Sequence, residues 1–539
     1  MAAHPLAPDD PAARPAGRAT GRPGWAIDQS LIGRLAARVV AADGAQRVIT
    51  TTPLTGAPIG ELRRSTPQDV ARAFATARLA QRDWRVRPIR DRAAILRRVN
   101  DVVLAQQSDG LDIVQLETGK SRLHAFDEIA DVAINARYYS RRGPGHLGDQ
   151  RHIGLVPGVT RVREVRHPRG VVGMISPWNY PLVLTVSDAI PALLAGNAVV
   201  LKPDSQTPFS ALWAADLLAQ VGLPDHLFQV VYGSGPVVGT AIIQQADYLC
   251  FTGSTATGTK VATQAAERLV GVSLELGGKN PVYVAQDADL DRAAEAIVRD
   301  CFANSGHACV SMERLIVHER IAGPFLDRFI GRVERLKLGA GLDYASDIGS
   351  IASKGQFHLL QRHVQDALDQ GATLLTGGKP RPDIGPLFFE PTVLDNVPES
   401  ALCYGQETFG PLVSVFRVPS DADGIRVANS TEYGLNASVW AGDRRRGDRI
   451  ARHIDAGTVT INEAYSVVWG SVQTPMGGRK QSGIGRRHGR DGLLRFTESQ
   501  SVAHQRLPLG WLYSRGGKYY STVFTRVLRF TRAIRLPWP

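Results

Sequence analysis

Apolar and polar positions along the chain change rhythm near residue 170. Upstream, Thr66-Pro67 before Asp69-Val70-Ala71-Arg72-Ala73-Phe74 places a capping residue and a first-turn proline ahead of a helical stripe. Helical spacing then persists through much of 67 to 140. Downstream, short apolar runs at 171–175, 198–201, 228–231 and 248–251 alternate with stretches long enough for helices, such as 182–194 and 208–220. Strands alternating with helices predict an α/β fold: a parallel sheet covered by helices, with a ligand site at its carboxyl edge. Val162-Arg163-Glu164-Val165-Arg166, ahead of Pro168, alternates as an exposed strand would. Residues 1–27, rich in Ala, Pro, Arg and Gly without periodicity, read as a flexible leader.

At 539 residues, 43% apolar and 21% charged, the chain is long enough for two large domains with a sizeable core. It holds no run of 18 apolar residues and no basic-then-apolar leader, which predicts a cytoplasmic protein. Its four cysteines, Cys250, Cys301, Cys309 and Cys403, have no C-x-x-C spacing, which argues against a disulfide framework or a zinc site. Patterns for a metalloprotease, a serine hydrolase elbow or a phosphate-binding P-loop are absent. The formal charge of +12 is mostly spread evenly, so it does not imply a nucleic-acid partner. The exception is 506–535, with seven basic residues and no acidic one.

The chemistry centres on two segments. Cys309 closes Phe302-Ala303-Asn304-Ser305-Gly306-His307-Ala308-Cys309, and Glu275 opens Glu275-Leu276-Gly277-Gly278-Lys279-Asn280-Pro281. A thiolate attacks carbonyl carbon, and a carboxylate within reach can deprotonate the thiol or a later water. Upstream, Ile175-Ser176-Pro177-Trp178-Asn179-Tyr180-Pro181 offers the Asn179 amide as a donor to an oxyanion. A lone buried cysteine is more often a small hydrophobe than a nucleophile, and a lone glutamate more often a solvated side chain. The ordered set changes the odds, because Lys202-Pro203-Asp204-Ser205, Phe251-Thr252-Gly253-Ser254 and Glu407-Thr408-Phe409-Gly410-Pro411 accompany those three.

With these segments in this order, the chain resembles the aldehyde dehydrogenase superfamily from about residue 45 to 505. The resemblance implies a variant Rossmann cofactor domain formed by 28–145 and 165–274, a catalytic domain over 275–480, and a small β oligomerisation arm from 146–164 and 488–505. Gly233, Gly235 and Gly239 are spaced one residue wider than the usual dinucleotide fingerprint, a weak signal alone. The resemblance further implies that Cys309 is the nucleophile, Glu275 the base and Asn179, with the Cys309 backbone N–H, the oxyanion donor. For the cofactor it implies Trp178 and Asn179 beside the nicotinamide, Lys202 and Ser205 at the adenosine ribose, Gly253 and Ser254 by the pyrophosphate, Leu276 beside the base, and Glu407 on the nicotinamide ribose. Ser205 stands where many NAD-using members carry a glutamate that repels a 2′-phosphate, so NADP is expected, with NAD as the alternative.

Within the superfamily the chain is most similar to bacterial NADP-dependent succinate-semialdehyde dehydrogenases of the second type, through Val199 to Pro208, Gly434 to Trp440 and Gly485 to Gly489. The expected product is a free acid and the expected assembly a homodimer or homotetramer. Ser187 and Ala303 replace the arginines that hold a substrate carboxylate in such enzymes, so an aromatic or longer apolar aldehyde is the alternative. The loop 462–469 is expected to line the substrate mouth, and His307 to pack rather than titrate. From other classes, a cysteine esterase or a silent scaffold would lack nicotinamide chemistry. In the 506–539 extension, Arg526, Arg529, Arg532 and Arg535 recur every three residues, with Phe524, Val527, Leu528 and Ile534 placed opposite, which predicts a basic amphipathic helix able to meet an anionic membrane or another face of the enzyme.

Overall fold

The computed structural model describes residues 27–155, 159–507, 510, 514 and 516–534, so the leader lies outside the described residues save for its last position. The helical stretch is four helices, Pro67–Val86, Ile89–Ala105, Gln107–Thr118 and Arg122–Leu147. The first starts as the sequence predicts: the Thr66 hydroxyl accepts from Asp69 N, and the Asp69 carboxylate accepts from Thr66 N in return.

The first of these helices packs against a six-stranded sheet in the order Gly483–Ile484, Gly271–Glu275, Tyr248–Thr252, Val171–Ile175, Ala198–Lys202 and Phe228–Val230, and the other three pack outside Val183–Leu194 and Pro208–Gln220. Five of its strands run parallel and are buried on both faces, so they read as continuous apolar runs. The first in sequence lies mid-sheet; the chain winds outward from it through Ala198–Lys202 and Phe228–Val230, then crosses to its other side. That reversal, between Val171–Ile175 and Tyr248–Thr252, is the position at which doubly wound sheets hold ligands.

A second sheet has the order Thr373–Thr376, Thr392–Asp395, Leu412–Val418, Met312–His318, Asn280–Val284, Asn436–Trp440 and Thr458–Ile461, parallel except at its first edge pair. The short strand Gly483–Ile484 returns from this half and pairs antiparallel with Gly271–Glu275, setting Gly483 opposite Glu275.

Three antiparallel strands, Thr497–Gln505, Thr160–Pro168 and Gln150–Ile153, form a separate small sheet. Its limits differ from the expected arm. The middle strand runs past 164 to Pro168, because Val165-Arg166-His167 continues its pairing with the outer strand. His488 is buried, and helix Gly489–Leu494 packs through buried Leu493 onto Arg122–Leu147 and Val183–Leu194 instead of joining the small sheet.

The extension carries a helix, Gly517–Ala533. Tyr520, Val523, Phe524, Val527 and Thr531 form its shielded stripe, whereas Leu528, Phe530 and Ile534 are exposed. Of the apolar residues grouped by sequence spacing, Phe524 and Val527 are half-buried and Leu528 and Ile534 exposed, and Arg535 lies outside the described residues.

Candidate active site

The residues singled out by sequence gather at the carboxyl ends of the first sheet's parallel strands. Trp178 and Asn179 follow Val171–Ile175, Lys202 ends Ala198–Lys202, Gly253 and Ser254 follow Tyr248–Thr252, and Glu275 ends Gly271–Glu275. Ser254 caps helix Thr255–Ala266 by accepting from Thr257 N. Gly253 N donates to Glu275 O at 3.1 Å, tying these two strand ends together. Leu276, buried against Gly258, donates its N–H to Ser482 O.

Cys309 sits just before strand Met312–His318, and its approach is unusual. Asn304, Ser305 and Gly306 all adopt left-handed backbone, with φ of 53°, 55° and 71°. Non-glycine residues rarely hold this conformation unless their surroundings enforce it. Here they do: Asn304 N donates to His124 Nδ1, Asn304 Nδ2 donates to the carbonyls of Asn179 and His307, and Ser305 Oγ donates to Gly349 O. A side chain at Gly306 would meet the Gly410 carbonyl at 2.2 Å. Two asparagines that open parallel strands fix the next turn. Asn280 Nδ2 donates to Cys309 O at 2.7 Å and to Ser311 O at 2.8 Å, and Asn436 Nδ2 donates to Val310 O.

Asn179 is equally constrained. One of its two amide protons goes to His307 O at 3.0 Å, which leaves the second to serve a substrate oxygen. Its own carbonyl accepts from Lys120 Nζ at 2.8 Å, and Lys120 pairs at 2.6 Å with Glu128, both side chains fully buried. Glu128 in turn accepts from Leu182 N and Val183 N, so one buried ion pair braces the whole Trp178–Val183 segment. Sequence reasoning missed this pair, because nothing in the sequence around Lys120 or Glu128 separates a buried charge from a solvated one.

The electrostatics separate the two reacting groups. Burial pushes the Glu275 carboxyl up to about 7, against the opposing pull of Arg487 and Arg495, and its Oε1 finds no hydrogen-bond partner among the described residues. Burial, with Glu407 and Glu275 nearby, pushes the half-buried Cys309 thiol up to about 12, while its own backbone N–H favours the thiolate. Glu407 lies against Gly277, where a side chain would meet its carboxylate at 2.3 Å, and accepts from Gly278 N at 2.8 Å. The loop carrying Glu407 is held by Glu313, which accepts from Thr408 N and Phe409 N and pairs with Lys279 at 2.5 Å in a buried ion pair. His307 packs edge-on to Trp178 and beside Phe409, and burial lowers it to about 3, so it is neutral.

Lys202 is buried, donates to Pro203 O, and forms no ion pair among the described residues. Asp204, two residues on, turns back to accept from Gln206 N at 2.9 Å. Lys202 is thus a buried cation without a carboxylate partner among the described residues, at the carboxyl end of a strand next to the topological reversal.

A cavity of about 320 Å³ opens on the other side of Cys309. Tyr180, Leu184, Val310, Tyr465 and Trp469 supply apolar and aromatic walls, so the loop 462–469 does line the mouth. Ala303 lines it, whereas Ser187 is buried and donates to Asp131. Two carboxylates, Asp127 and Asp131, face the same space, and its one cationic lining residue, Arg299, is bound at 2.9 Å to Glu463. Arg487 and Arg495, in contrast, are buried and converge on Asp188, behind the base.

A thiol, an unpartnered carboxylate and an amide donor at the carboxyl edge of a doubly wound sheet define a nucleotide-dependent enzyme working through a covalent thiol adduct. The chain belongs to the aldehyde dehydrogenase family, whose model matches residues 39–502. It is 52% identical over 470 residues to a Mycolicibacterium smegmatis protein provisionally named succinate-semialdehyde dehydrogenase (NADP+), covering 86% of this chain and 90% of that one. The crystal structure of a succinate-semialdehyde dehydrogenase from Burkholderia pseudomallei superposes with a TM-score of 0.82 at 35% identity, covering 86% of this chain and 96% of that one. An E. coli NADP-dependent enzyme gives a TM-score of 0.83 at 33% identity, over 88% and 99% of the two chains.

Proposed function

We propose that this enzyme oxidises an aldehyde to a carboxylic acid with NADP through a thioester on Cys309, and that succinate semialdehyde is its substrate. The observation that carries the reaction is Glu275: a carboxyl that burial pushes up to about 7, with one oxygen unpartnered among the described residues, whose charge helps to raise the Cys309 thiol. The bound nicotinamide supplies a hydride acceptor. The chain supplies the rest. The Cys309 thiol gives its proton to Glu275 or to solvent and adds as thiolate to the aldehyde carbon; the Asn179 amide and the Cys309 N–H stabilise the oxyanion; its collapse releases hydride and leaves the thioester. Glu275 then takes a proton from water, which hydrolyses the thioester to free acid and thiol. Trp178, Lys202, Ser205, Gly253, Ser254, Leu276 and Glu407 are the cofactor contacts.

The names of the relatives support the semialdehyde. The cavity favours a second reading, an aromatic or longer apolar aldehyde: its walls are apolar, it holds two carboxylates, and Arg299 is already engaged. Comparing kcat/KM for succinate semialdehyde and for aromatic and alkyl aldehydes, each with NADP and NAD, tests both. A tenfold advantage for an apolar aldehyde would replace the semialdehyde reading, and absence of reduced cofactor with every aldehyde would remove the reaction itself.

The small antiparallel sheet presents unpaired outer strands, which supports a role as the subunit contact of a homodimer or homotetramer. The exposed Leu528 and Phe530 beside Arg526, Arg529 and Arg532 support a docking role for the C-terminal helix, on an anionic membrane or a second subunit. Among the described residues no helix is long and apolar enough to cross a membrane. A nucleophilic thiol with no disulfide partner supports a reducing, cytoplasmic location.

A further inference from the structure

A cavity of about 250 Å³ opens beside Ser205, on the side away from Cys309. Thr51, Arg64, Ser205, Gln206, Tyr232 and Ser234 contribute to its wall, and among the described residues Arg64 is the only charged side chain lining it. Three arginines project from the hairpin Arg47–Thr51 and Pro58–Arg63 and its continuation. Arg47 pairs with Glu61 and Arg63 with Asp43, whereas Arg64 has no carboxylate partner among the described residues and donates only to the neutral Gln46 side chain, at 3.0 Å. Its stem lies 3.5 Å from the position a Cβ would take on Gly233, and Gly233 O accepts from Ser205 Oγ at 3.1 Å. The Arg64 stem and Ser205 thus both lie against Gly233, and both side chains line the same cavity.

Neither neighbour can do this work alone. Ser205 already spends its proton on Gly233 O, and Lys202 is turned to Pro203 O and does not line the cavity. No acidic residue lines it, and Asp204 is folded back on Gln206 N. A dianionic group entering this space meets one cation whose only side-chain partner is the neutral Gln46, of the planar type that binds phosphate by paired N–H donors.

We propose that Arg64 is the anchor for the 2′-phosphate of NADP and, with Ser205, sets the enzyme's choice of cofactor. This rests on the NADP reading above. The probes are 2′,5′-ADP and 5′-AMP, with affinities measured by titration calorimetry on the full chain, so no turnover is involved. Wild type should bind 2′,5′-ADP the more tightly. Arg64→Ala should weaken 2′,5′-ADP by about 10-fold or more, in keeping with loss of a charge-assisted contact, and leave 5′-AMP within about two-fold. Arg64→Lys should recover part of the loss, because the charge returns without the fork. Because Arg64 is exposed, these variants should fold as wild type does, which an unchanged 5′-AMP affinity also reports. If Arg64→Ala keeps the wild-type preference, or weakens both nucleotides equally, the role of Arg64 is wrong while the NADP reading stands. If wild type itself does not distinguish the two nucleotides, the NADP reading fails and takes this proposal with it.

Discussion

On the cofactor flank of Cys309, two segments are held by buried ion pairs: Glu128 and Lys120 brace the Asn179 segment, and Glu313 and Lys279 brace the Glu407 loop. On the aldehyde flank, Tyr180, Leu184, Tyr465 and Trp469 line the cavity with apolar and aromatic surface, held by fewer charges: Lys120 sits over the Tyr180 ring, Asp300 accepts from Tyr465 N, and Arg299, the one cation lining it among the described residues, is tied to Glu463. The difference follows from what each side must do. Transferring hydride and activating water require atoms fixed to within fractions of an ångström, which directional hydrogen bonds provide. Admitting an aldehyde requires mainly an apolar passage, which many residue combinations provide. The reaction is therefore written more firmly into this molecule than the substrate is.

Variants on the two flanks should separate accordingly. Cys309→Ala should remove oxidation almost entirely, on the order of 10⁴-fold or more, as measured by cofactor reduction with any aldehyde; residual turnover above about 1% would mean another nucleophile serves. Glu275→Gln should lower steady-state turnover by about 10²–10⁴-fold while a burst of reduced cofactor persists, since the base acts chiefly on water. Wild-type kcat should rise with pH through about 7, because Glu275 must be ionised, and that acid limb should vanish in the variant. A burst that disappears, or a limb that remains, would place Glu275 elsewhere in the cycle.

Asp188→Asn tests the bracing directly. It leaves the buried guanidiniums of Arg487 and Arg495 without their shared counter-charge and should cost about 3–5 kcal/mol in denaturant unfolding. The arginines hold this carboxyl below 3.8, so its contribution is present above that pH and is lost as the pH falls through the lowered value. Full stability in the variant would mean the network is dispensable. Ser205→Glu should move the kcat/KM ratio from NADP toward NAD by about 10-fold or more, and an unchanged ratio would remove Ser205 as the discriminator. On the aldehyde flank, Arg299→Ala should change KM for succinate semialdehyde by less than about threefold, since an exposed, already paired arginine contributes little. A larger rise would make Arg299 the missing carboxylate anchor and weaken the contrast between the flanks.

The same contrast governs what the sequence discloses. The first sheet was legible because its strands, such as Ala198–Lys202 and Val171–Ile175, are apolar runs bounded by turn residues. Strand Met312–His318 was not, because Glu313 and Arg314 interrupt the apolar pattern and are nevertheless buried, one by pairing with Lys279, the other against Tyr404 and Phe416. Lys120 and Glu128 were hidden for the same reason: a charge pattern along a helix looks alike whether it faces water or a partner. The reactive residues stood out because they share short segments with glycines and prolines. Arg64 lies among arginines of similar spacing, and only the placement of Asp43, Glu61 and Ser205 distinguishes it.

The pairing of Gly483 with Glu275 also bears on how the molecule comes apart. Gly483 adopts φ of 141°, and any side chain there would strike the Leu274 carbonyl at 2.1 Å, so the two halves are latched through a contact that only glycine permits. A strand belonging to one half completes the sheet of the other, which makes melting of either a perturbation of both. The chain should consequently denature as a single cooperative block, with protease nicking between residues 275 and 480 releasing no lasting nucleotide-binding fragment.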